Sequence, residues 1–167
     1  RGLKYRYPLT ERYVLDGVEL IIRKGEKVAL VGENGGGKST FVKLITGLIT
    51  PSKGELMING IPVEELNPID LYRNQSTVMQ NPSRYMTFTV RDNVFLGDTM
   101  RTRDESAIDA ALMFAGFEKQ DNDKLLGKDI GGIDLSGGEW HKLAIARAAY
   151  RNRDFIVLDE PTGNLDP

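Results

Sequence analysis

The sequence predicts an α/β protein with a mostly parallel sheet, a small antiparallel β layer and a helical lobe. Two continuous apolar runs, "KVALV" at 27–31 and "FIVL" at 155–158, are typical of parallel strands that are covered on both faces. Between them, "TVRDNVFL" and "DESAIDAALMFAGF" have helical patterns, and Gly116 stops the second. Strands at both ends and helices between them favour a parallel sheet with a helical insertion, from 81 to about 115.

A glycine-rich turn joins the first apolar run to a predicted helix. After Ser39 and Thr40, apolar residues recur with helical spacing, and Gly47 lies near the expected helix end. These apolar residues are Phe41, Val42, Leu44, Ile45, Leu48 and Ile49. Further on, "GELMINGIPV" at 54–63 predicts a hairpin around Asn59 and Gly60, which we assign to the antiparallel layer.

The composition narrows the classes of function. With 167 residues, 40% of them apolar, the chain can bury one core and form one domain, with or without a lobe. The 22 basic residues nearly balance the 24 acidic ones, so the charge does not favour nucleic acid or an anionic membrane as a partner. The chain has no cysteine, which excludes disulfides and thiolate metal sites and fits the cytoplasm.

Membrane insertion is not predicted for this chain. No apolar stretch reaches the roughly 18 to 20 residues of a spanning helix, and the N-terminus lacks the apolar core of a signal peptide. Any membrane role therefore requires a partner or a segment outside this chain.

The segment Gly32–Ser39 has the pattern G-x-x-x-x-G-K-[ST] between a predicted strand and a predicted helix. In such a loop, backbone amides curl around phosphate groups, Lys38 reaches the outer phosphate oxygens, and the Ser39 hydroxyl ligates Mg²⁺. The helix N-terminus adds a partial positive charge. The alternative is a flexible glycine-rich turn in which the lysine occurs by chance. The motif and its position between a strand and a helix both favour phosphate binding instead. We predict a site for a nucleoside triphosphate with Mg²⁺.

Two carboxylates follow the second apolar run, at Asp159 and Glu160. An acidic residue at the C-terminal end of a parallel strand lies beside the phosphate loop of the same sheet. There Asp159 can hold the metal through water, and Glu160 can polarise an attacking water. The pair could also mark a strand end or cap a helix, but the phosphate loop favours the catalytic interpretation.

A second candidate anion site begins "LSGGEWHKLAIARA" at 135–148. Ser136 is a good N-cap and Glu139 can complete a capping box, which would be a purely structural role. However, each glycine in the first turn costs a helix about 1 kcal/mol relative to alanine, and a cap does not need them. Gly137 and Gly138 leave backbone amides bare at the positive end of a helix. Two such helix starts indicate either two sites or one site shared by two molecules.

Taken in this order, the motifs resemble the nucleotide-binding domain of ATP-binding cassette (ABC) proteins over the whole chain. Gly32–Thr40 is similar to the Walker A loop, Gln80 to the Q-loop glutamine, and Leu135–Glu139 to the signature. Phe155–Glu160 is similar to Walker B with its catalytic glutamate, and Asp166 to the D-loop aspartate. The resemblance implies the ABC ATPase fold, which is a P-loop NTPase core with a helical subdomain, and ATP with Mg²⁺ as its ligands.

The resemblance also implies roles for individual residues. Tyr7, in "YRYP", would stack on adenine, although an ordinary half-buried strand tyrosine fits the same position. Gln80 would sense the metal and relay its state to the helical lobe. The residues implied in nucleotide binding are Tyr7, Gly32, Asn34, Gly35, Gly36, Gly37, Lys38, Ser39, Thr40, Ser136, Gly137, Gly138, Glu139 and Asp166. Those implied in metal ligation are Ser39, Gln80 and Asp159, and those in catalysis are Glu160, Lys38 and Gln80.

By the same resemblance, the chain is one nucleotide-binding domain in three sections. The antiparallel layer and P-loop core occupy 1–79, the helical subdomain with the signature helix 80–150, and the Walker B strand with the D-loop 151–167. Two such domains would pair head to tail with ATP between them. Ser136 and Gly138 of one domain would then face the γ-phosphate held by the Lys38 of the other, which accounts for the second anion site.

The implied function is ATP hydrolysis that powers transmembrane transport, at the cytoplasmic face of the cell membrane. The segments around Gln80 and the signature are most similar to the bacterial exporter branch, while "PTGNLD" at 161–166 also resembles the ending of some separate ATPase subunits. The implied partners are a second nucleotide-binding domain and a transmembrane domain, which would contact the surface near Arg84 and Tyr85. Nucleic acid is not expected as a partner.

The departures from the family pattern are few. Glu139 replaces the commoner glutamine, and His141 stands where glutamine is frequent. We assign no catalytic role to His141, because the switch histidine of the family follows Walker B on a later strand. The chain ends at Pro167, so we expect a domain that is incomplete at its C-terminus and that binds nucleotide with uncertain turnover. An unpaired sheet edge would make this chain marginally stable or self-associating.

Other classes of protein share some of these motifs. A soluble ABC-type ATPase of DNA repair or translation is one alternative, but the short stretch between Gln80 and Leu135 leaves no room for a long coiled coil. The near-neutral charge does not favour nucleic acid either. An ATP-binding module without turnover is the second alternative, and Glu160 argues against it for the parent protein. A GTPase or a small-molecule kinase would leave the signature unexplained.

Overall fold

The computed structural model describes residues 2–118 and 122–159. The chain divides into two units, Arg1–Gln75 and Ser76–Pro167. The described strands form three two-stranded sheets. Two of these sheets lie in the first unit, and the third, apart from Gln75, lies in the second.

In the first unit, a pair of antiparallel strands packs against the first helix. Strand β1 (Leu3–Tyr5) pairs with β2 (Leu15–Val18), and helix α1 (Lys38–Ile45) buries one apolar face against them. The buried residues of this cluster are Leu3, Tyr5, Leu15, Phe41 and Leu44. The predicted helix is confirmed, but its apolar stripe ends at Ile45, so the prediction was wrong for Leu48 and Ile49.

Helix α1 ends just before Gly47, as predicted. Thr46 is its C-cap and donates its hydroxyl to the Val42 carbonyl oxygen at 2.8 Å. Gly47 has a φ of +74°, which glycine adopts with little cost. A Cβ at this position would also lie 2.3 Å from Leu71 Cδ2. The helix end thus favours glycine for its backbone conformation, while a side chain there would displace the end of Leu71. The apolar residues at 48–49 lie beyond the helix.

A tight hairpin follows α1. Strand β3 (Met57–Ile58) pairs antiparallel with β4 (Ile61–Pro62). The two turn residues, Asn59 and Gly60, have φ values of +52° and +82°, which are typical of the type I′ turn that an Asn-Gly pair favours. The predicted hairpin is confirmed.

The predicted strand at 27–31 is not formed. Residues 20–37 belong to no helix or strand, and Val28, Leu30 and Val31 are 47%, 47% and 86% exposed. A parallel strand is stable only when neighbouring strands pair with its backbone N–H and C=O groups. No strand of the described residues pairs with this run. The apolar composition of this run is typical of a buried strand. However, the run can become a strand only where neighbouring strands pair with it.

Three helices form the core of the second unit. They are α3 (Val90–Phe95), α4 (Glu105–Phe114) and α5 (Gly137–Arg151). Gly116, with a φ of +63°, follows the end of α4. The shared buried cluster contains Val90, Val94, Ile108, Ala111, Leu112, Phe117, Leu126, Leu135, Trp140, Leu143, Ala146 and Tyr150. Both predicted helical segments of the insertion, and the stop at Gly116, are confirmed.

The second unit also contains most of a two-stranded sheet. Helix α2 (Pro68–Arg73) leads into strand β5 (Gln75–Val78), which is paired with β6 (Phe155–Leu158). The Asp159 amide donates to the Val78 carbonyl oxygen at 2.8 Å. Val78 also packs against α5. The residues that follow β5 and β6 in the chain therefore lie at adjacent strand ends.

Asp92, in the first turn of α3, gives the second unit a pH dependence. Its carboxylate accepts hydrogen bonds from Arg103 Nη1 at 2.6 Å and from the Thr89 amide at 3.3 Å, and these bonds lower the pKa of Asp92. A carboxylate whose pKa is lowered by folding stabilises the protein above its unfolded pKa of about 3.9. That stabilisation is lost as the pH falls through the lowered pKa of the folded state.

We expect Asp92→Asn to lower the free energy of unfolding by about 1 kcal/mol at pH 7, and by less at pH 3. Urea unfolding followed by the fluorescence of Trp140, the single tryptophan of the chain, measures both values. An equal loss of stability at the two pH values would contradict the expectation.

Candidate nucleotide-binding site

The loop 32–37 leads directly into α1. The Gly36 amide donates to the Glu33 carbonyl oxygen at 3.1 Å, and the Phe41 amide donates to the Gly37 carbonyl oxygen at 2.8 Å. The second of these is the first backbone bond of α1. The amides of residues 38–40 precede it, so they have no acceptor four residues back within the helix. These are the backbone donors that the sequence predicted for phosphate.

Gly37 is the loop position where glycine is required. It is the N-cap of α1 and has a φ of +84°, a conformation that other residues adopt only with strain. A Cβ on Gly37 would lie 2.9 Å from Leu15 Cδ2 and 3.1 Å from the Val14 carbonyl oxygen. The close approach of β2 to the loop therefore depends on the missing side chain.

The Lys38 side chain folds back over the loop. Its Nζ donates to the carbonyl oxygens of Gly32 at 2.7 Å and Glu33 at 2.8 Å. An ammonium group has three N–H donors, so one remains for a phosphate oxygen. The first turn of α1 contains no acidic residue, and the helix N-terminus favours an anion. Amides, an ammonium group and the exposed Ser39 hydroxyl form a donor set that fits a triphosphate.

Tyr7 lies next to the start of α1. Its hydroxyl shares a hydrogen bond of 3.1 Å with Thr40 Oγ1, and its ring meets Tyr5 edge-on at 5.1 Å. Tyr7 as a whole residue is 38% exposed. It lines a surface depression of about 550 Å³ together with Arg6, Pro8, Leu9, Thr10, Glu11 and Ser52. The fold thus brings Tyr7 to the helix that follows the glycine-rich loop and leaves the residue partly exposed.

The signature segment begins α5 with the capping box that the sequence predicted. Ser136 Oγ accepts a hydrogen bond from the Glu139 amide at 3.2 Å, and the Ser136 amide donates to Glu139 Oε2 at 2.7 Å. A Cβ on Gly137 would meet no atom within 4 Å. No contact within the described structure therefore explains a glycine at the first position of α5.

Gln80 and Asp159 follow the paired strands of the second unit. Gln80 is exposed two residues after β5, and Asp159 is half-buried directly after β6. Both stand at the strand ends where the sequence predicted them. Two further predicted residues, Glu160 and Asp166, lie outside the described residues. His141, which we kept out of the site, is fully buried on α5.

The available oxygens are of the kind that Mg²⁺ binds. Within residues 2–118 and 122–159, no three His, Cys, Asp or Glu side chains converge as a metal site. Mg²⁺ that accompanies a nucleotide requires only one or two protein oxygens, because phosphates and waters provide the rest. Each unit offers one such oxygen by itself, the Ser39 hydroxyl at the start of α1 in the first unit and the Asp159 carboxylate after β6 in the second. The residues present fit the ion by their chemistry.

Sequence reasoning did not single out Arg147. This arginine is on α5, and its Nη2 donates to the Ser83 carbonyl oxygen at 2.6 Å. Its guanidinium Cζ lies 4.8 Å from the centre of the Tyr85 ring. The available signal was a single arginine among small apolar residues in "AIARAA". Only the fold reveals which segment it contacts.

Comparisons with known proteins show which family this chain belongs to. A family described as "ABC transporter" matches residues 15–163. Among curated relatives, the subtilin transport ATP-binding protein SpaT of Bacillus subtilis is 34% identical over 100% of this chain and 28% of its own length. An ATP-dependent lipid A-core flippase of Pseudomonas fluorescens is 38% identical over 99% of this chain and 28% of its own length. The energy-coupling factor transporter ATP-binding protein EcfA1 of Listeria monocytogenes is 38% identical over 98% of this chain and 58% of its own length.

A solved structure agrees with the family match. A bacterial Atm1-family ABC exporter with ATP bound has a TM-score of 0.81 and 28% identity, over 99% of this chain and 29% of the exporter chain. This likeness confirms the predicted ABC ATPase fold. The chain spans less than a third of the length of SpaT, the flippase and this exporter. In the described part of the chain, no helix combines the length and apolar character needed to cross a membrane. The loop geometry, the capped signature helix and these matches together show that the chain belongs to the ABC transporter family and carries its ATP-binding motifs.

Proposed function

We propose that the protein containing this chain hydrolyses ATP with Mg²⁺ and uses the energy to move a substrate across a membrane. The observation that carries the proposal is the Lys38 ammonium folded over the Gly32 and Glu33 carbonyls at the amide-rich start of α1. A loop with this donor set and no acidic residue in the following helical turn favours a triphosphate. The names of SpaT, a transport ATP-binding protein, and of the ATP-dependent flippase support the same function.

Each residue of the proposed site has a separate task. Lys38 stabilises the charge on the outer phosphates, and the Ser39 hydroxyl and the Asp159 carboxylate hold Mg²⁺, the latter through water. Glu160 polarises the attacking water, and Gln80 responds to the state of the metal site. ATP supplies the transferable phosphoryl group. Phosphate binding further involves Gly32, Asn34, Gly35, Gly36, Gly37 and Thr40, and adenine stacks on the exposed part of Tyr7.

The proposed active unit is a head-to-tail pair of these domains. In each of its two sites, Ser136 and Gly138 of one domain face the phosphates held by Lys38 of the other, with Glu139 and Asp166 close by. The open space around Gly137 supports this arrangement. A glycine is a poorer helix former than alanine, and no contact of a side chain at Gly137 within the described structure would require the glycine. The close approach of a second molecule to the bare backbone amides would explain why glycine is present there.

The proposed setting is an exporter-type transporter. The three sections 1–79, 80–150 and 151–167 would form one nucleotide-binding domain at the cytoplasmic face of the membrane. A transmembrane domain would contact the surface near Arg84 and Tyr85. The names of the flippase and the Atm1-family exporter support the export direction. A separate ATPase subunit, such as the name of EcfA1 suggests for that relative, remains the alternative organisation.

Phosphate release from Mg²⁺-ATP tests the proposal. We expect the specific activity of residues 1–167 to rise with protein concentration, because a shared site forms only when two chains meet. Glu160→Gln should abolish release while ATP binding persists. ATP binding without release at any concentration would restrict this chain to the role of an ATP-binding module. A full-length protein without Mg²⁺-dependent phosphate release would contradict the enzymatic function itself.

A further inference from the structure

Arg147 carries a charge that no carboxylate of the described residues pairs with. The residue is half-buried on α5, and its Nε is fully buried without an acceptor. Among the ion pairs of the described residues, none includes Arg147. Burial lowers the pKa of its guanidinium, because the charged form is poorly solvated there. Burying a cation without a partner charge lowers the stability of a protein. The contacts that the guanidinium does make therefore indicate the role of Arg147.

Within the described residues, the contacts of the Arg147 guanidinium with Ser83 and Tyr85 lie in the segment that follows Gln80. Arg147 Nη2 donates to the Ser83 carbonyl oxygen at 2.6 Å, and the guanidinium lies over the Tyr85 ring at 4.8 Å. The Tyr85 carbonyl oxygen in turn accepts a hydrogen bond from Asn93 Nδ2 at 2.9 Å. Asn93 is fully buried on α3. The segment 83–85 is therefore attached to α5 through one side chain and to α3 through another.

The backbone of Arg147 is itself fixed in place. A Cβ on Gly97, which follows α3, would lie 2.4 Å from the Arg147 carbonyl oxygen. Such a close approach leaves α5 little freedom at this turn. The guanidinium is thus presented from a rigid helix whose first turn carries Ser136 and Gly138.

We propose that Arg147 is a positioning residue that attaches the segment after Gln80 to the signature helix, so that Gln80 and the first turn of α5 shift together. This inference rests on the proposed function, because Gln80 and the signature matter to turnover only if ATP is hydrolysed. Arginine is suited to this task, since its planar group stacks on an aromatic ring and donates to a carbonyl at the same time. A lysine cannot do both equally well.

Hydrogen exchange of the full-length protein without nucleotide tests the attachment independently of turnover. The Thr87 amide, just after the attached segment, donates to the Leu126 carbonyl oxygen at 2.8 Å, so its exchange reports the attachment. We expect this amide to exchange about tenfold faster in Arg147→Ala, while the amides of α3 retain their rates. Arg147→Lys should recover only part of the protection. Tyr85→Leu, which removes the ring and keeps Arg147, should give a smaller increase at the same amide. Unchanged exchange of the Thr87 amide in all three variants would overturn the proposal, whether or not the protein hydrolyses ATP.

Steady-state ATP turnover, normalised to bound nucleotide per chain, tests the consequence. We expect kcat of Arg147→Ala to fall about tenfold with KM unchanged, since Arg147 is not among the residues proposed to bind nucleotide. Arg73→Ala removes the same charge from an exposed position on α2 and should leave both constants unchanged. Faster exchange of the Thr87 amide with an unchanged kcat, or an equal loss in Arg73→Ala, would overturn the proposal. Absence of turnover in the wild type would contradict the proposed function instead, and the exchange rates would then decide the role of Arg147 by themselves.

Discussion

We expect Lys38→Ala to reduce ATP turnover by about 10²- to 10³-fold, because it removes a positive charge directed at the developing charge on the phosphates. The same substitution removes the hydrogen bonds from Nζ to the Gly32 and Glu33 carbonyl oxygens. The loop then loses the contact that folds it, so nucleotide affinity should fall as well. Phosphate release and the binding of a fluorescent ATP analogue by the full-length protein measure the two effects separately.

Lys43→Ala is the matched control for this variant. Lys43 is in the last turn of the same helix, α1, so its loss changes the net charge equally without touching the loop. We expect it to leave turnover within about twofold of the wild type, as for a surface substitution away from a site. Equal losses for both lysine variants would show that overall charge, rather than the loop, determines activity.

The second large effect that we expect concerns Gly97→Ala. The new Cβ would lie 2.4 Å from the Arg147 carbonyl oxygen and 3.0 Å from the Val94 carbonyl oxygen. The Arg147 oxygen can move away only if α5 moves away from the end of α3, and the Val94 oxygen belongs to α3 itself. We expect the free energy of unfolding to fall by about 2–3 kcal/mol, as for other overpacked cores. Urea unfolding followed by Trp140, which is buried in the same unit, measures the loss.

Gly137→Ala adds the same methyl group at a glycine with open space around it. Its free energy of unfolding should be unchanged or slightly higher than that of the wild type, because alanine favours the helix over glycine by about 1 kcal/mol. If Gly97→Ala were as stable as Gly137→Ala, the close contact between α3 and α5 would not exist in solution. This pair of variants therefore separates steric overlap from helix propensity.

Features that depend on nearby residues were predictable from the sequence. The capping box of Ser136 and Glu139 joins residues three positions apart, and the turn at Asn59 and Gly60 is determined by the conformations that these two residues favour. The stop of α4 at Gly116 has the same local origin. The glycine-rich loop 32–37 was recognisable for the same reason, because its motif consists of consecutive residues.

Features that depend on distant residues were not predictable in this way. The run at 27–31 has the composition of a buried strand but remains exposed, since no described strand pairs with it. The bond between Tyr7 and Thr40, and the contacts of Arg147 with Ser83 and Tyr85, join residues far apart in the chain.

By itself, the amino-acid sequence determined the helical segments and the helix caps, because each follows from spacing within a few residues, and its motifs, in their order along the chain, carried the resemblance to the ABC family. The tertiary structure alone decided which apolar run is paired, why Gly37 and Gly97 cannot carry a side chain, and which segment Arg147 holds. These features depend on atoms brought together by packing. Periodicity and motif spacing describe the chain along its length and contain no distances between its distant parts.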